Sequence, residues 1–345
     1  MWFTSDNASG AAPEVMTAVA RANEGYARSY GADALMDRAR DLVREVFEAP
    51  EAAVYLVTTG TVANALSLSL LTPPWGSVFC HTHAHIAEDE CGAPEFYSHG
   101  AKLTLIPGAH GRMEADALEA AILRAKGAGV HGVQPGALSI TNVTEAGTVY
   151  SVAEIAALAG VARAHGVPVH LDGARFANAL VATGATAADM TWRAGVDVVS
   201  FGGTKNGCMG VEAVVIFDPA KAWEFELRRK RAGHLMSKHR FLSAQMAAYL
   251  EDGLWLRLAA HANAMAARLA RGLAQMPEVD LVHPVEANIL FPEWAEGIHA
   301  KLETAGAAYY PFPAPMGRER ARLVASWSTT EREVDEFLST LRDPR

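Results

Sequence analysis

Four short segments of the 345-residue chain combine reactive side chains with glycine or clustered polar groups in a way that would serve a bound ligand. The first is Thr58-Thr59-Gly60-Thr61. Backbone N–H groups at a helix start, with hydroxyls beside a glycine that permits close approach, form an anion cradle. Threonine capping of the helix accounts for the same residues. The second is His81-Thr82-His83-Ala84-His85, followed by Glu88, Asp89 and Glu90. Histidines at alternate positions of extended backbone face one side, as in a metal cluster; the competing account packs one imidazole on a flat partner and leaves two solvated or capping. The third is His170-Leu171-Asp172-Gly173-Ala174-Arg175. Asp172 can pair with a protonated ring nitrogen and Arg175 can hold an anionic oxygen, or the two can form a plain surface pair. The fourth, Ser200-Phe201-Gly202-Gly203-Thr204-Lys205-Asn206-Gly207, displays Lys205 on a glycine-rich loop. A desolvated lysine can form a Schiff base there, whereas a solvent-facing lysine on a glycine turn is the ordinary alternative.

Jointly the four suit an aldehyde-bearing pyridine with a phosphate, and pyridoxal 5′-phosphate has those three needs. Positioning them falls to short apolar runs that alternate with helical patterns. The runs Val54–Val57, Val78–Cys80, Leu103–Ile106, Leu138–Thr141, Val167–Leu171, Val196–Phe201 and Ala213–Phe217 predict strands. Helical spacing covers Pro13–Ala22, Asp33–Phe47, Thr61–Leu71, Ala115–Ala125, Val152–His165, Ala220–Arg231 and Ala244–Leu273. Such alternation implies an α/β domain with a mainly parallel sheet, and open sheets of this kind bind ligands at the carboxyl ends of their strands. The tail changes character, with strands at Ala287–Phe291, Ala307–Tyr310 and Arg322–Ser326 and helices at Ala295–Thr304 and Glu331–Arg342. The expected division is a large domain over 14–250 and a small α+β domain over 251–345, packed with residues 1–13.

Thirty basic and 39 acidic side chains leave a net charge of −9, which disfavours a nucleic-acid partner. From Ala52 to Ala87 no Asp, Glu, Lys or Arg occurs. Its most apolar part, Val62–Leu71, is too short for a membrane span, is interrupted by Asn64, Ser67 and Ser69, and is followed by Pro73-Pro74. The neutral run is therefore expected to be a buried wall beside the ligand and a subunit interface. The opening residues lack the basic head and apolar run of a signal peptide, and Cys80, Cys91 and Cys208 are too few and odd in number for a disulfide scaffold. The chain reads as cytoplasmic, with no membrane partner.

With these residues in view, the sequence resembles the L-threonine aldolases, fold-type-I pyridoxal-phosphate enzymes, over nearly its whole length. Ser5-Asp6-Asn7, Thr59-Gly60-Thr61, Ala84-His85, Glu145-Ala146-Gly147-Thr148-Val149 and the Asp172 and Lys205 segments carry the likeness. The Ala84–Glu95 and Gly202–Gly207 segments are most similar to the bacterial low-specificity subgroup. The resemblance implies that Lys205 forms the internal aldimine and that Asp172 binds the pyridinium nitrogen. It also implies Arg175 at the phenolic oxygen, Gly60 and Thr61 at the phosphate, and His85 stacked on the ring near the substrate hydroxyl. Ser5 and Arg322 would bind the substrate carboxylate, and His131 would be a second active-site histidine. No metal is implied. The family is usually tetrameric, with sites completed by neighbouring subunits, where Arg228-Arg229-Lys230-Arg231 would reach the phosphate. Two departures stand out: Val143-Thr144-Glu145 replaces a Thr-His-Asn run, and no aromatic pair follows His85.

The implied reaction is retro-aldol cleavage of L-threonine, L-allo-threonine and related β-hydroxy-α-amino acids, phenylserine among them, to glycine and an aldehyde. The alternatives are β-elimination by another fold-type-I lyase and a metal hydrolase built on His81, His83 and His85.

Overall fold

Seven short apolar runs pair into the large sheet of this computed structural model, which describes residues 1–343. They are β1 (Ala53–Val57), β2 (Gly76–His81), β3 (Lys102–Ile106), β4 (Gln134–Thr141), β5 (Val169–Gly173), β6 (Val198–Gly202) and β7 (Glu212–Ile216). Their order across the sheet is β1-β7-β6-β5-β4-β2-β3. Only β7 runs against its neighbours, β1 and β6; the other pairings are parallel. Successive side chains alternate between faces. Leu56, Leu171, Val199 and Phe201 join one apolar cluster, while Val57, Val78, Val198 and Val214 join another on the opposite face.

The uncharged run supplies the second face. The helix Gly60–Leu71 is buried at every residue from Val62 to Leu71, as expected of a helix apolar on all sides. Its serines cost little, since Ser67 and Ser69 return their hydroxyls to the carbonyls of Ala63 and Leu66 at 2.6 and 2.8 Å. Among the described residues, no helix is long and apolar enough to cross a membrane.

Most expected elements form within a residue or two, and the helices Pro13–Ala22 and Glu331–Arg342 have the bounds their spacing gives. The segment 244–273 is not one helix. It divides into Arg240–Leu250 and Leu254–Leu273 because Asp252 and Gly253 take left-handed backbone, with φ of 51° and 66°. Five strands form the tail: β8 (Asp280–Leu281), β9 (Ile289–Leu290), β10 (Pro292–Ala295), β11 (Tyr310–Phe312) and β12 (Arg318–Val324). The sheet runs β11-β12-β10-β8, with β9 also on β12. The strand expected at 322–326 thus begins four residues earlier, the one expected at 307–310 begins three later, and β8 and β10 were not anticipated. Glu293 explains the first shift, since it binds Arg318 and Arg320 at 3.3 and 2.7 Å and lets a charged stretch pair as a strand.

Phe3, near the start of the chain, packs against this tail. Phe3 donates its N–H to the Ala308 carbonyl and accepts from Val324 N–H, at 2.7 and 2.9 Å, and its buried ring meets Phe337 edge-on.

At the end of β6 the backbone approaches β5 so closely that a Cβ on Gly202 would lie 2.3 Å from the Ala174 carbonyl oxygen. Gly202→Ala is therefore expected to lower the unfolding free energy by about 1–3 kcal/mol. Gly160→Ala, on the helix Val152–Ala164 with nothing within 4 Å of the new methyl, should be neutral or stabilise by about 0.5–1 kcal/mol. Denaturant melts of both variants test the contrast.

Candidate active site

Strand register assembles the site. Val57 of β1, Glu212 of β7 and Gly202 of β6 lie in one row, and Asp172 of β5 sits between Thr141 of β4 and Ser200 of β6. The segments that follow β1, β5 and β6 therefore meet. In the loop after β6, Gly203 N–H donates to Glu212 Oε2 at 2.7 Å, Thr204 Oγ1 accepts from Val211 N–H at 3.1 Å, and Asn206 Nδ2 donates to Tyr249 and to the Trp255 carbonyl. Lys205 is thus held between anchored neighbours, and it lines a cavity of about 750 Å³. Burial pushes the Glu212 carboxyl up to about 7, against the opposing hydrogen bonds from Thr204 and Gly203.

Ser5, His85, Glu145, Arg175 and Arg322 share that cavity with Lys205. Arg175 is already engaged: its Nε and Nη2 donate to the two oxygens of Asp6 at 2.6 and 2.9 Å, both side chains being about 2% exposed or less. Asn288 adds a third donor to Asp6 at 3.2 Å. Burial opposes ionisation of Asp6, but the Arg175 guanidinium, with Lys205 behind it, holds the carboxyl below its ordinary value. Arg322 differs. Its guanidinium makes no hydrogen bond and no ion pair within 4 Å to any described residue, and burial together with the like charge of Arg175 lowers its pKa. Glu145 likewise has no such direct partner. Burial would raise its pKa, but Arg175, Lys205, His85 and Arg322 surround it and hold it below the usual carboxylate range.

Below the cavity a polar chain runs through the sheet face covered by the uncharged helix. His85 Nδ1 meets Glu90 Oε1 at 2.8 Å; Asn64 Nδ2 donates to the same oxygen at 2.9 Å and to Asp172 Oδ2 at 3.1 Å. Asp172 Oδ1 accepts from Ala174 N–H. Under Asp172, His170 bridges Ser139 and Ser200, and burial drops its pKa to about 4, so this imidazole is neutral.

Gly60 and Thr61 do not line the cavity, but they open the 12-residue helix that carries Asn64. Thr59 caps it through Val62 N–H, no acidic residue occupies its first turn, and the N–H groups of Gly60 and Thr61 have no described acceptor. Nothing lies within 4 Å of a Cβ built on Gly60. The place suits an anion.

His131 is not in the site. It ends an exposed turn, Gly129–His131, ahead of β4, at the opposite end of that strand from Thr141. The expectation of a second active-site histidine there is corrected: His83, His110 and His283 line the cavity instead. The three alternating histidines do not converge. His81 meets the Gly108 carbonyl, His83 meets Glu88 and His85 meets Glu90. Among the described residues, no three His, Cys, Asp or Glu side chains are grouped to hold a metal ion. In the basic run, Arg229 turns inward to the Leu56 carbonyl and the Tyr55 ring, and Arg228 pairs with Glu224. Asp6, Asn64, Glu90, Glu145 and Glu212 were given no role from the sequence. Asn64 carried a signal, as a lone amide in an apolar helix, and Glu145 marked the departure from Thr-His-Asn.

The mainly parallel sheet with its small antiparallel companion is the architecture of fold-type-I pyridoxal-phosphate enzymes. The beta-eliminating lyase family model matches residues 3–296. A low-specificity L-threonine aldolase of Pseudomonas sp. is 42% identical over 340 residues, 99% of this chain and 96% of that one. Its counterpart in Pseudomonas aeruginosa is 41% identical over the same shares. The structure of a Leishmania major threonine aldolase superposes with a TM-score of 0.94 at 32% identity, covering 99% of this chain and 98% of that one. This chain belongs to the beta-eliminating lyase family, within which it groups with the low-specificity L-threonine aldolases.

Removing one partner of a buried ion pair strands the other, so Asp6→Ala should cost about 3–5 kcal/mol. The double variant Asp6→Leu/Arg175→Met should cost less than Asp6→Ala. Because the folded-state pKa of Asp6 is depressed, its contribution is complete above the unfolded value of about 4 and is lost as pH falls through the lower folded value. Acid titration of stability should therefore be shallower in Asp6→Asn than in the parent.

Proposed function

We propose that this chain cleaves L-threonine, L-allo-threonine and related β-hydroxy-α-amino acids, phenylserine included, to glycine and an aldehyde. The reaction uses pyridoxal 5′-phosphate bound where β1, β5 and β6 end. The observation that carries this reading is the coincidence, at adjacent strand ends, of Lys205, a buried Asp172 and a cavity with an unpaired Arg322. The family relationship supports the chemistry. The residues suit the cofactor: the free N–H groups of Gly60 and Thr61 would take its phosphate, Asp172 its ring nitrogen, and Lys205 would hold it covalently. Arg175, with only Nη1 uncommitted, would approach the phenolic oxygen.

Once bound, pyridoxal phosphate supplies an electron sink for the pair released when Cα–Cβ breaks. The protein's residues do the remainder. Arg322 and Ser5 take the substrate carboxylate and fix the orientation of the breaking bond. An amino acid enters as a zwitterion, and the cavity offers it a cation, Arg322, and an anion, Glu145, neither of which has a direct partner among the described residues. His85 presents its outer nitrogen to the β-hydroxyl and accepts its proton, directly or through a water. Asp172, oriented by the Asn64 amide and the Ala174 N–H, would accept from the protonated ring nitrogen.

We further place the domain boundary near residue 250, with residues 1–13 joining the 251–345 module, as the Phe3 hydrogen bonds to Ala308 and Val324 support. A homotetramer is supported by exposed apolar side chains such as Tyr26, Trp75, Phe96, Trp223 and Leu227. A cytoplasmic setting is supported by the three free cysteines.

The purified protein should absorb in the visible, and threonine, allo-threonine and phenylserine should each release glycine and the matching aldehyde. Keto acid and ammonia as main products would instead favour β-elimination. Lys205→Ala should lose both the absorbance and nearly all turnover. Arg322→Ala should raise the KM for threonine about 10–100-fold, the worth of one charge-assisted hydrogen-bonding group, while keeping the absorbance.

A further inference from the structure

The proton-accepting histidine is held from behind by a buried carboxylate. Glu90 lies at the end of the short segment after His85, with a side chain 0% exposed. Its Oε1 receives two contacts at once, His85 Nδ1 at 2.8 Å and Asn64 Nδ2 at 2.9 Å. The second hydrogen of the same amide reaches Asp172 at 3.1 Å. A carboxylate can only accept, so the His85 nitrogen facing it must be the one that carries the hydrogen. The outer nitrogen, Nε2, is then the one left to gain or lose a proton. Asn64 leaves its own Oδ1 without a partner, and Glu90 its Oε2. Two polar atoms thus go unmatched in the interior, which is costly, while the amide is aimed at the two carboxylates.

We propose that Glu90 is a positioning residue. It fixes His85 as the Nδ1–H tautomer with Nε2 toward the cavity, and through Asn64 it ties that ring to the carboxylate of Asp172. This rests on the aldolase reading for its consequence in catalysis, but not for the tautomer itself. Glu90 also favours the charged imidazole. Burial and Lys205 oppose it, and Asp172 and Glu145 add to it, so that His85 gains proton affinity overall. The hydrogen bond to Glu90 is the largest of these contributions, and a neutral acceptor in its place holds the charged imidazole less tightly and moves the His85 titration to lower pH.

Two measurements test this on the holoenzyme. In the unaltered protein labelled with ¹⁵N-histidine, Nδ1 of His85 should stay protonated across the active pH range while Nε2 titrates. A protonated Nε2 with a bare Nδ1 would overturn the proposal without any variant. In Glu90→Gln, the His85 pKa and the acid limb of the kcat/KM profile for threonine should both fall by at least about one pH unit. kcat should fall about 10²-fold, the low end of what a general acid–base group contributes, and KM should change less than threefold because Arg322 and Ser5 are untouched. An unchanged His85 titration in Glu90→Gln, or a loss expressed only in KM, would refute the role. Failure of the unaltered enzyme to cleave threonine would sink the aldolase reading instead, leaving the tautomer result to stand or fall separately.

Discussion

Charge compensation at the carboxyl edge of the large sheet governs this molecule. Asp6, Glu90, Asp172, Arg175 and Glu212 are all less than a tenth exposed there, with Lys205, Glu145 and Arg322 beside them. Isolated charges in such a place would neutralise or unfold the chain. Each buried member is therefore answered by a neighbour: Arg175 by both oxygens of Asp6, Asp172 and Glu90 by the one amide of Asn64, Glu212 by the Gly203 N–H. The uncharged helix matters for the same reason. It closes one side of the site without adding a charge that would need matching, and its single interior amide sits where two carboxylates need a donor.

The same constraint joins the tail to the large sheet. Asp6 belongs to the N-terminal segment, Arg175 to the end of β5, and Asn288 to the tail, where its Nδ2 also holds the Ala325 carbonyl. One carboxylate thus couples three distant stretches of chain. The backbone hydrogen bonds of Phe3 to Ala308 and Val324, with its edge-on contact with Phe337, fix the segment from which Asp6 projects. Ser5 and Arg322 enter the cavity from these same pieces, so the walls that would bind substrate are positioned by the pair that would otherwise be read as structural.

How much of this is legible in the sequence depends on range. Strands buried on both faces are written as continuous apolar runs, and β1, β5, β6 and β7 were readable within two residues. The placement of Lys205 and Asp172 at strand ends was equally readable, because a reactive side chain next to glycine there is a local pattern. The break at Asp252-Gly253 was hidden by Ala- and Leu-rich flanks, although that dipeptide favours a left-handed turn. β12 was hidden for another reason: Arg318 and Arg320 look like surface charges until Glu293 faces them across the sheet. Asp6, Glu90 and Glu145 acquire their roles from partners up to 282 positions away, as for Asp6 and Asn288. His131 lies outside the cavity of this chain, in the turn before β4 and away from the strand end that carries Thr141.

Compensation also bears on Arg322 and Glu145, which have no direct partner among the described residues. With Arg175 given to Asp6, no carboxylate of the described residues lies within ion-pairing distance of Arg322, and the like charge of Arg175 makes an added anion more welcome there. Glu145 is held below the usual carboxylate range by the summed field of Arg175, Lys205, His85 and Arg322 rather than by a bond to any one of them, so its oxygens remain open to a ligand. A site that paired every charge internally would be more stable and would have nothing with which to hold an amino acid. The chain spends its tight pairs on the scaffold, at Asp6 and Glu90, and keeps its looser ones in the cavity. Stability and binding are thereby assigned to different residues of one electrostatic cluster.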